Sequence, residues 1–564
     1  MKKLFSLFVT TLVFVLCTGC GAKTQNAPAL HDNYKNTYEI FVYSFADSNG
    51  DGIGDLKGVD EKLPYIKDMG FNAIWLMPVM PSPTYHKYDV IDYKNIDSEY
   101  GTLDDMKVLV EHAHENDINV IIDFVMNHSS SQNPWFINAS GALQNIEKNL
   151  EANEFYENGE ADRFGSFDSQ GNFVFSDEFS KENPEVTFYH FARKKIGGAY
   201  YPVRGTDSWY YEGSFWSEMP DLNFSSDFLK NEFMNIAEFW LKEMDIDGFR
   251  MDAAMHFEEG NVSFNTEVMN WFYEYCKSIN PDFYMVSEVW SSESTIASYY
   301  ESKTDSMFNF DLADAEGKIV KAAQGKLKAA KLVNSMLTYE TDFGSIYDYY
   351  IDAPFITNHD MGRVCNALQS DENALKFAGG LLSTMDGSAY VYYGEEIGLK
   401  SKGKKDENKR LPMVWSSNEK SSYQTNGPKA ADSGIEQSFE GVEEQLKDSD
   451  SILNYYRKAF NLRNQYPAIA RGKITIDERF TDEHHALIKK SYIANEDYKD
   501  IKTGETDEIL ILYNTSPDEE YTFEFRGTEY ESMSLLGFLT VDNSEIKKEN
   551  GKISLPARSV AYMR

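Results

Sequence analysis

Three acidic residues stand where short apolar runs end: Asp252 after Gly248-Phe249-Arg250-Met251, Glu288 after Met285-Val286-Ser287, and Asp360 after Ile356-Thr357-Asn358-His359. Carboxylates brought together repel one another and lose solvation, so a fold gains no stability by collecting them. Cleavage of a glycosidic bond does need them, one acid to protonate the leaving oxygen and a second to face an oxocarbenium-like transition state. Taken singly, an Asp after a strand reads equally well as a surface residue or a helix N-cap. Arg250 precedes Asp252 by two residues, on the same face of a strand, where its guanidinium can hold that carboxyl ionised. Glu288 must instead keep its proton near neutral pH, and burial beside Trp290 among anionic neighbours is expected to raise its pKa. His128 and His359 read as neutral donors to hydroxyl groups. The run Asp47-Ser48-Asn49-Gly50-Asp51-Gly52-Ile53-Gly54-Asp55 places oxygen donors at alternate positions with glycines between. That spacing suits a hard cation such as Ca²⁺, and it also suits an Asp/Asn/Gly turn.

Elements able to position these residues follow from the alternation of short β-rich runs with longer helical ones. Eight candidate strands are Glu39–Tyr43, Ala73–Met77, Asn119–Phe124, Gly248–Asp252, Tyr284–Glu288, Met307–Phe310, Phe355–Asn358 and Ala389–Tyr393. Eight favour an α/β fold of the (β/α)₈ TIM-barrel type, whose strand ends converge on one face. The barrel is assigned to 36–128 and 218–470, interrupted after the third strand by a small aromatic-rich domain at 129–217. Alternating strands at 471–564 read as a C-terminal antiparallel β-sandwich. Met1-Lys2-Lys3 followed by the apolar Leu4–Leu16 and Thr18-Gly19-Cys20 has the form of an export signal at 1–19, with a flexible tether at 20–35. Beyond that segment only Cys276 and Cys365 remain, so no disulfide framework is expected. The charged stretch Lys400–Arg410 reads as a solvated loop.

With 564 residues, 42% hydrophobic and 14% aromatic, the chain has enough apolar surface for a large core. Its formal charge of −37 repels phosphate backbones and anionic lipid heads, which excludes nucleic acid and leaves a membrane contact only through an N-terminal anchor. A monomer is expected.

Asp123-Phe124-Val125-Met126-Asn127-His128, Met219-Pro220-Asp221-Leu222-Asn223, Gly248–Asp252, Glu288-Val289-Trp290 and Phe355–Asp360 occur in the order of the conserved regions of the α-amylase family of glycoside hydrolases, which the chain resembles from Tyr38 to its C-terminus. The resemblance implies Asp252 as nucleophile, Glu288 as general acid then base, and Asp360 as a stabiliser holding sugar hydroxyls. Tyr88 resembles the aromatic under the reacting sugar, with His86 beside it and His128, Arg250 and His359 as further substrate contacts. It also implies a structural Ca²⁺ held by Asp47, Asn49, Asp51, the Ile53 carbonyl and Asp55, and a second site at Asn127, Asp221 and the His256 carbonyl. Tyr85 replaces the Asp usual in exo-acting α-glucosidases, which argues for a cleft open to long chains of starch or maltooligosaccharide. The fifth motif begins with Met219 and looks like a group between the oligo-1,6-glucosidases and the neopullulanases. An α-glucosidase, a neopullulanase, a transglycosylase and a non-catalytic glucan-binding lipoprotein stay open. Leu16-Cys17-Thr18-Gly19-Cys20 resembles a bacterial lipoprotein signal, with Cys20 lipidated and the protein exported to the outer face of the cell membrane, or secreted if unlipidated.

Overall fold

A computed structural model of the chain describes residues 30–149, 164–418 and 422–564. The signal segment 1–19 and Cys20 lie outside these residues. The barrel begins with β1 (Asn36–Ile40), β2 (Ala73–Leu76) and β3 (Asn119–Phe124). The insertion contributes β4 (Gly165–Phe167), β5 (Phe173–Phe175), β6 (Phe191–Ala192), β7 (Tyr200–Pro202) and β8 (Tyr210–Glu212). The barrel resumes with β9 (Gly248–Met251), β10 (Tyr284–Ser287), β11 (Ser306–Met307) and β12 (Ala389–Tyr392). These barrel strands form one parallel sheet in the order β11-β10-β9-β3-β2-β1-β12. They are buried almost throughout, as expected of parallel strands covered on one face by the barrel interior and on the other by helices.

Three expected strands differ, and the sixth, expected over Met307–Phe310, is the two-residue β11 at Ser306–Met307. The first runs from Asn36 and ends at Ile40, where Val42–Phe45 turns into a short helix. The seventh, expected over Phe355–Asn358, forms no ladder: single parallel bridges join Phe308 to Ala353 and Phe355 to Tyr390, closing the ring between β11 and β12. Pro354 has no N–H to donate, so the ladder cannot continue through it, while its carbonyl accepts from Tyr390 at 2.9 Å.

Local chemistry sets the helix starts. Asp55 accepts from the Gly58 N–H at 2.6 Å to cap Leu56–Asp68, and Thr102 with Asp105 forms a capping box before Leu103–Glu115. Gly248 opens β9 where a Cβ would lie 2.2 Å from the Tyr284 carbonyl, so only glycine admits the two neighbouring strands.

Beyond the barrel, β13 (Lys473–Ile476), β14 (His485–Ile493), β15 (Thr506–Asn514), β16 (Tyr521–Glu524), β17 (Leu535–Thr540), β18 (Lys548–Glu549), β19 (Lys552–Leu555) and β20 (Ser559–Met563) build a five-stranded and a three-stranded antiparallel sheet. Leu487, Leu512, Phe523 and Ile553 belong to the core between them. Residues 30–35, expected in the tether, are instead docked, because Asp32 receives both Nε and Nη2 of Arg471 at 2.7 and 2.6 Å. Cys276 and Cys365 are buried free thiols. Among the described residues no helix is long and apolar enough to cross a membrane.

Candidate active site

The register of β3 on β9 sets Asp123 opposite Arg250, and that of β9 on β10 sets Arg250 opposite Val286, two residues before Glu288. Arg250 is fully buried. Its Nη1 donates to Asp123 Oδ1 at 2.8 Å and to Asp252 Oδ1 at 2.7 Å, and its Nη2 donates to Glu288 Oε2 at 2.8 Å. One guanidinium therefore spans the two candidate catalytic carboxyls. Ala253, directly after Asp252, takes a φ of 47° and aims its N–H at Glu288 Oε2 at 3.2 Å. A left-handed non-glycine at this turn is backbone strain of the kind found at functional sites.

A second network covers the other side. His359 Nδ1 lies 2.6 Å from Glu39 Oε1, and its Nε2 lies 3.0 Å from Asp360 Oδ2 and 2.6 Å from the Tyr88 hydroxyl. Tyr88 donates to Asp123 Oδ2 at 2.9 Å and stacks on the His359 ring with centroids 5.5 Å apart. Arg410 Nη2 holds Asp360 Oδ1 at 2.8 Å while its Nη1 lies 2.8 Å from Asp406 Oδ2 and 3.2 Å from the Tyr85 hydroxyl. Asp252, Glu288, Asp360, Arg250, His359 and Tyr88 are thus joined, and His86 lies against Tyr88 with centroids 6.0 Å apart. His128 Nδ1 meets Asn127 Oδ1 at 3.2 Å, and the His128 ring also interacts with the Tyr88 backbone.

Burial pushes Glu288 and Asp252 above the usual carboxylate range, against the pull of Arg250, and each is raised further by an anionic neighbour. Trp290, two residues on, is itself half exposed and stacks on Phe310. Burial alone would raise Asp360 too, but His359 and Arg410 outweigh it and hold this carboxyl far below its ordinary range. The expectation of two neutral histidines is corrected for one of them. Burial disfavours the charged form of His359, yet Asp360 and Glu39 raise its pKa to about 10 and make it a cation. Burial lowers His128 to about 4 and leaves it neutral.

Side chains of the loop at 47–55 accept from several of its own backbone N–H groups. Asp47 accepts from the Gly50 and Gly52 N–H groups at 2.6 and 2.7 Å, Asn49 from Asp51 at 2.9 Å, and Asp51 from Ile53 at 2.8 Å. Its donors are all hard oxygens, the set that Ca²⁺ takes. At the other candidate position Asn127 Nδ2 donates to the His256 carbonyl at 2.5 Å, and Asp221 Oδ1 is buried without a partner among the described residues. Among the described residues no three His, Cys, Asp or Glu side chains are gathered as a metal cluster.

Four contributors escaped the sequence reading. Asp123 and Glu39 are single acids within apolar strand runs, a costly placement that signals a partner. Arg410 and Asp406 belong to the stretch expected to be a solvated loop, yet Arg410 is 3% exposed and reaches the site. Their mutual ion pair is local, but their contacts with the site, Asp360 and Tyr85, lie 50 and more than 300 positions away.

A closed parallel barrel carrying paired carboxyls at its strand ends is the architecture of a TIM-barrel hydrolase. The family "Alpha amylase, catalytic domain" matches residues 39–472. Alpha-amylase 3 of Dictyoglomus thermophilum is 35% identical over 541 residues, covering 94% of this chain and 93% of its own. The solved structure of Eubacterium rectale Amy13B superposes with a TM-score of 0.83 at 36% identity, covering 96% of this chain and 97% of its own. That of an α-amylase from H. orenii gives 0.72 at 31%, with 94% and 99% covered. The chain belongs to the α-amylase family of glycoside hydrolases, and α-glucans are the substrates that membership implies.

Proposed function

We propose that the protein is an endo-acting α-amylase that hydrolyses α-1,4-glucosidic bonds of starch and maltooligosaccharides with retention, in the group between the oligo-1,6-glucosidases and the neopullulanases. The observation that carries the reading is the sharing of Arg250 by Asp252 and Glu288. Retention needs nucleophile and acid carboxyls about 5–5.5 Å apart, and two acceptors on adjacent nitrogens of one guanidinium suit a separation of that scale. Asp252 attacks the anomeric carbon and the C–O bond to the leaving sugar breaks as Glu288 gives that oxygen its proton. Glu288, now a base, takes a proton from water, which displaces Asp252 and restores both groups. Asp360, kept ionised by His359 and Arg410, accepts from sugar hydroxyls, and the Tyr88 ring offers its face to the apolar side of the pyranose.

An α-glucosidase is the second reading, favoured by one contact. Asp406 meets the Tyr85 hydroxyl at 3.0 Å, so a carboxylate stands beside the position where exo-acting relatives carry one. Products over time from starch, end-labelled maltoheptaose, pullulan and isomaltose decide between them, with Asp252→Asn as control. Mid-sized oligosaccharides appearing first, with isomaltose intact, are expected. Glucose released singly, or isomaltose cleavage, selects the α-glucosidase, and activity no higher than the control leaves a glucan-binding protein.

We also propose a structural Ca²⁺ at Asp47, Asn49, Asp51, the Ile53 carbonyl and Asp55, and a second at Asn127, Asp221 and the His256 carbonyl, where the unpartnered Asp221 oxygen supports it. The export signal supports attachment through a lipidated Cys20 to the outer face of the membrane, which keeps the enzyme beside a polymer too large to import. Cys20→Ala is then expected to move the protein from the membrane fraction to the medium; an unchanged distribution contradicts the anchor.

A further inference from the structure

Lys87 stands in the chain between His86 and Tyr88 and takes a φ of 66°, in the left-handed region that glycine enters freely and lysine does not. Its side chain is 3% exposed, so its ammonium has left water as well. Two costs at one residue persist only where the surroundings over-determine it. Here the ammonium lies 2.8 Å from Asp97 Oδ2 and 2.6 Å from Glu99 Oε2, and 5.4 Å from the centre of the Tyr100 ring. Asp97 is itself fixed: its N–H donates to the Val79 carbonyl at 2.8 Å, and its Oδ2 also accepts from the Ser82 N–H at 3.2 Å. Behind the turn lies a cavity of about 700 Å³ lined by Tyr85, Lys87, Asp97 and Glu99. Beside that cavity the ion pairs of Lys87 serve as the turn's strut. On the other side the Tyr88 hydroxyl reaches Asp123 at 2.9 Å and His359 at 2.6 Å together, which fixes the ring.

We infer that Lys87 is a positioning residue for the reaction, its ion pairs with Asp97 and Glu99 setting the Tyr88 and His86 rings at the reacting sugar. This rests on the reading above that Tyr88 meets that sugar. Displacing a substrate-positioning group by an ångström costs up to about a hundredfold in rate.

The test compares Lys87→Gly, Lys87→Met, Lys87→Arg and Glu99→Gln with the wild type, measuring kcat and KM on maltoheptaose per folded molecule, well below each thermal midpoint. Lys87→Gly relieves the backbone and removes the strut, which separates the two explanations for an unusual φ. The expected result is a fall in kcat of about tenfold or more in Lys87→Gly and Lys87→Met. Lys87→Arg should restore most of it, and Glu99→Gln should lose about threefold by the same geometric argument. Full kcat in Lys87→Gly overturns the inference and leaves Lys87 a stability residue, even if the midpoint falls. Should both truncations fail to fold, Glu99→Gln decides, an unchanged kcat overturning the inference and a fall supporting it. An inactive Asp252→Asn beside a fully active Lys87→Gly refutes this inference alone. An active Asp252→Asn refutes the catalytic reading beneath it.

Discussion

Arg250 donates to Asp123, Asp252 and Glu288 from one buried guanidinium, so the charge of each carboxyl depends on the other two. Asp123 shows the balance. Burial raises its pKa to about 7 although Arg250 lies against it. The same competition raises Glu288, which keeps a proton available to the leaving oxygen at a pH where an exposed carboxyl has lost it. With Glu288 as the proposed acid, activity is expected to fall as pH rises through its raised pKa. On the acid side it falls as Asp252 takes up a proton. Glu288→Gln should therefore cost about 10²–10⁴ in kcat on maltoheptaose and abolish the basic limb of the pH–rate profile. The loss should shrink for an aryl glucoside whose leaving group needs little protonation. A basic limb that survives the substitution removes Glu288 from this role.

At the scale of elements, strand ends supply the carboxyls and loops decide how they are held. Asp252 and Glu288 follow β9 and β10 directly, and their placement follows from the register of the sheet. Asp360 follows the segment that Pro354 prevents from forming a ladder, and it relies on His359 and on the loop residue Arg410. The loop 47–55 is joined to the segment after Arg410, because Asn426 donates to the Gly52 carbonyl at 2.8 Å and the Asp47 N–H to that of Tyr423 at 3.1 Å. A cation bound there stabilises the native state by RT ln(1 + [Ca²⁺]/Kd), about 2.7 kcal/mol at a hundredfold excess over Kd. Chelation should lower the thermal midpoint, and Asp51→Asn should blunt that shift. An identical midpoint with and without chelator, together with no heat on Ca²⁺ titration, refutes the site.

For the whole molecule, the barrel and the C-terminal sheets are bolted together by Lys490. It is fully buried on β14 and donates to the carbonyls of Thr384 and Ile469 at 2.8 and 2.6 Å and to Asp386 Oδ1 at 2.8 Å. Removing one partner of a buried pair leaves the other charge uncompensated, so Lys490→Met should cost about 3–5 kcal/mol in urea unfolding. Lys490→Met with Asp386→Asn should recover part of it, and a cost under about 1 kcal/mol would show the contact to be incidental. The barrel itself was legible in the chain because a parallel sheet imposes periodic local patterns: apolar runs of strand length, helices between them and acids at the strand ends. The three acids were legible at the ends of apolar runs, and the resemblance of the ordered motifs to the α-amylase family is what marked Asp252, Glu288 and Asp360 among the acids of the chain. What only the tertiary structure decided is the charge state and grip of those acids. The cationic His359 is held by Asp360, the next residue, and by Glu39, 320 positions away in sequence. Arg410 needs Asp360, 50 positions away. Such pairings arise from strands and loops meeting around a closed barrel, and burial sets their electrostatics, so neither leaves a periodic trace in the residues themselves.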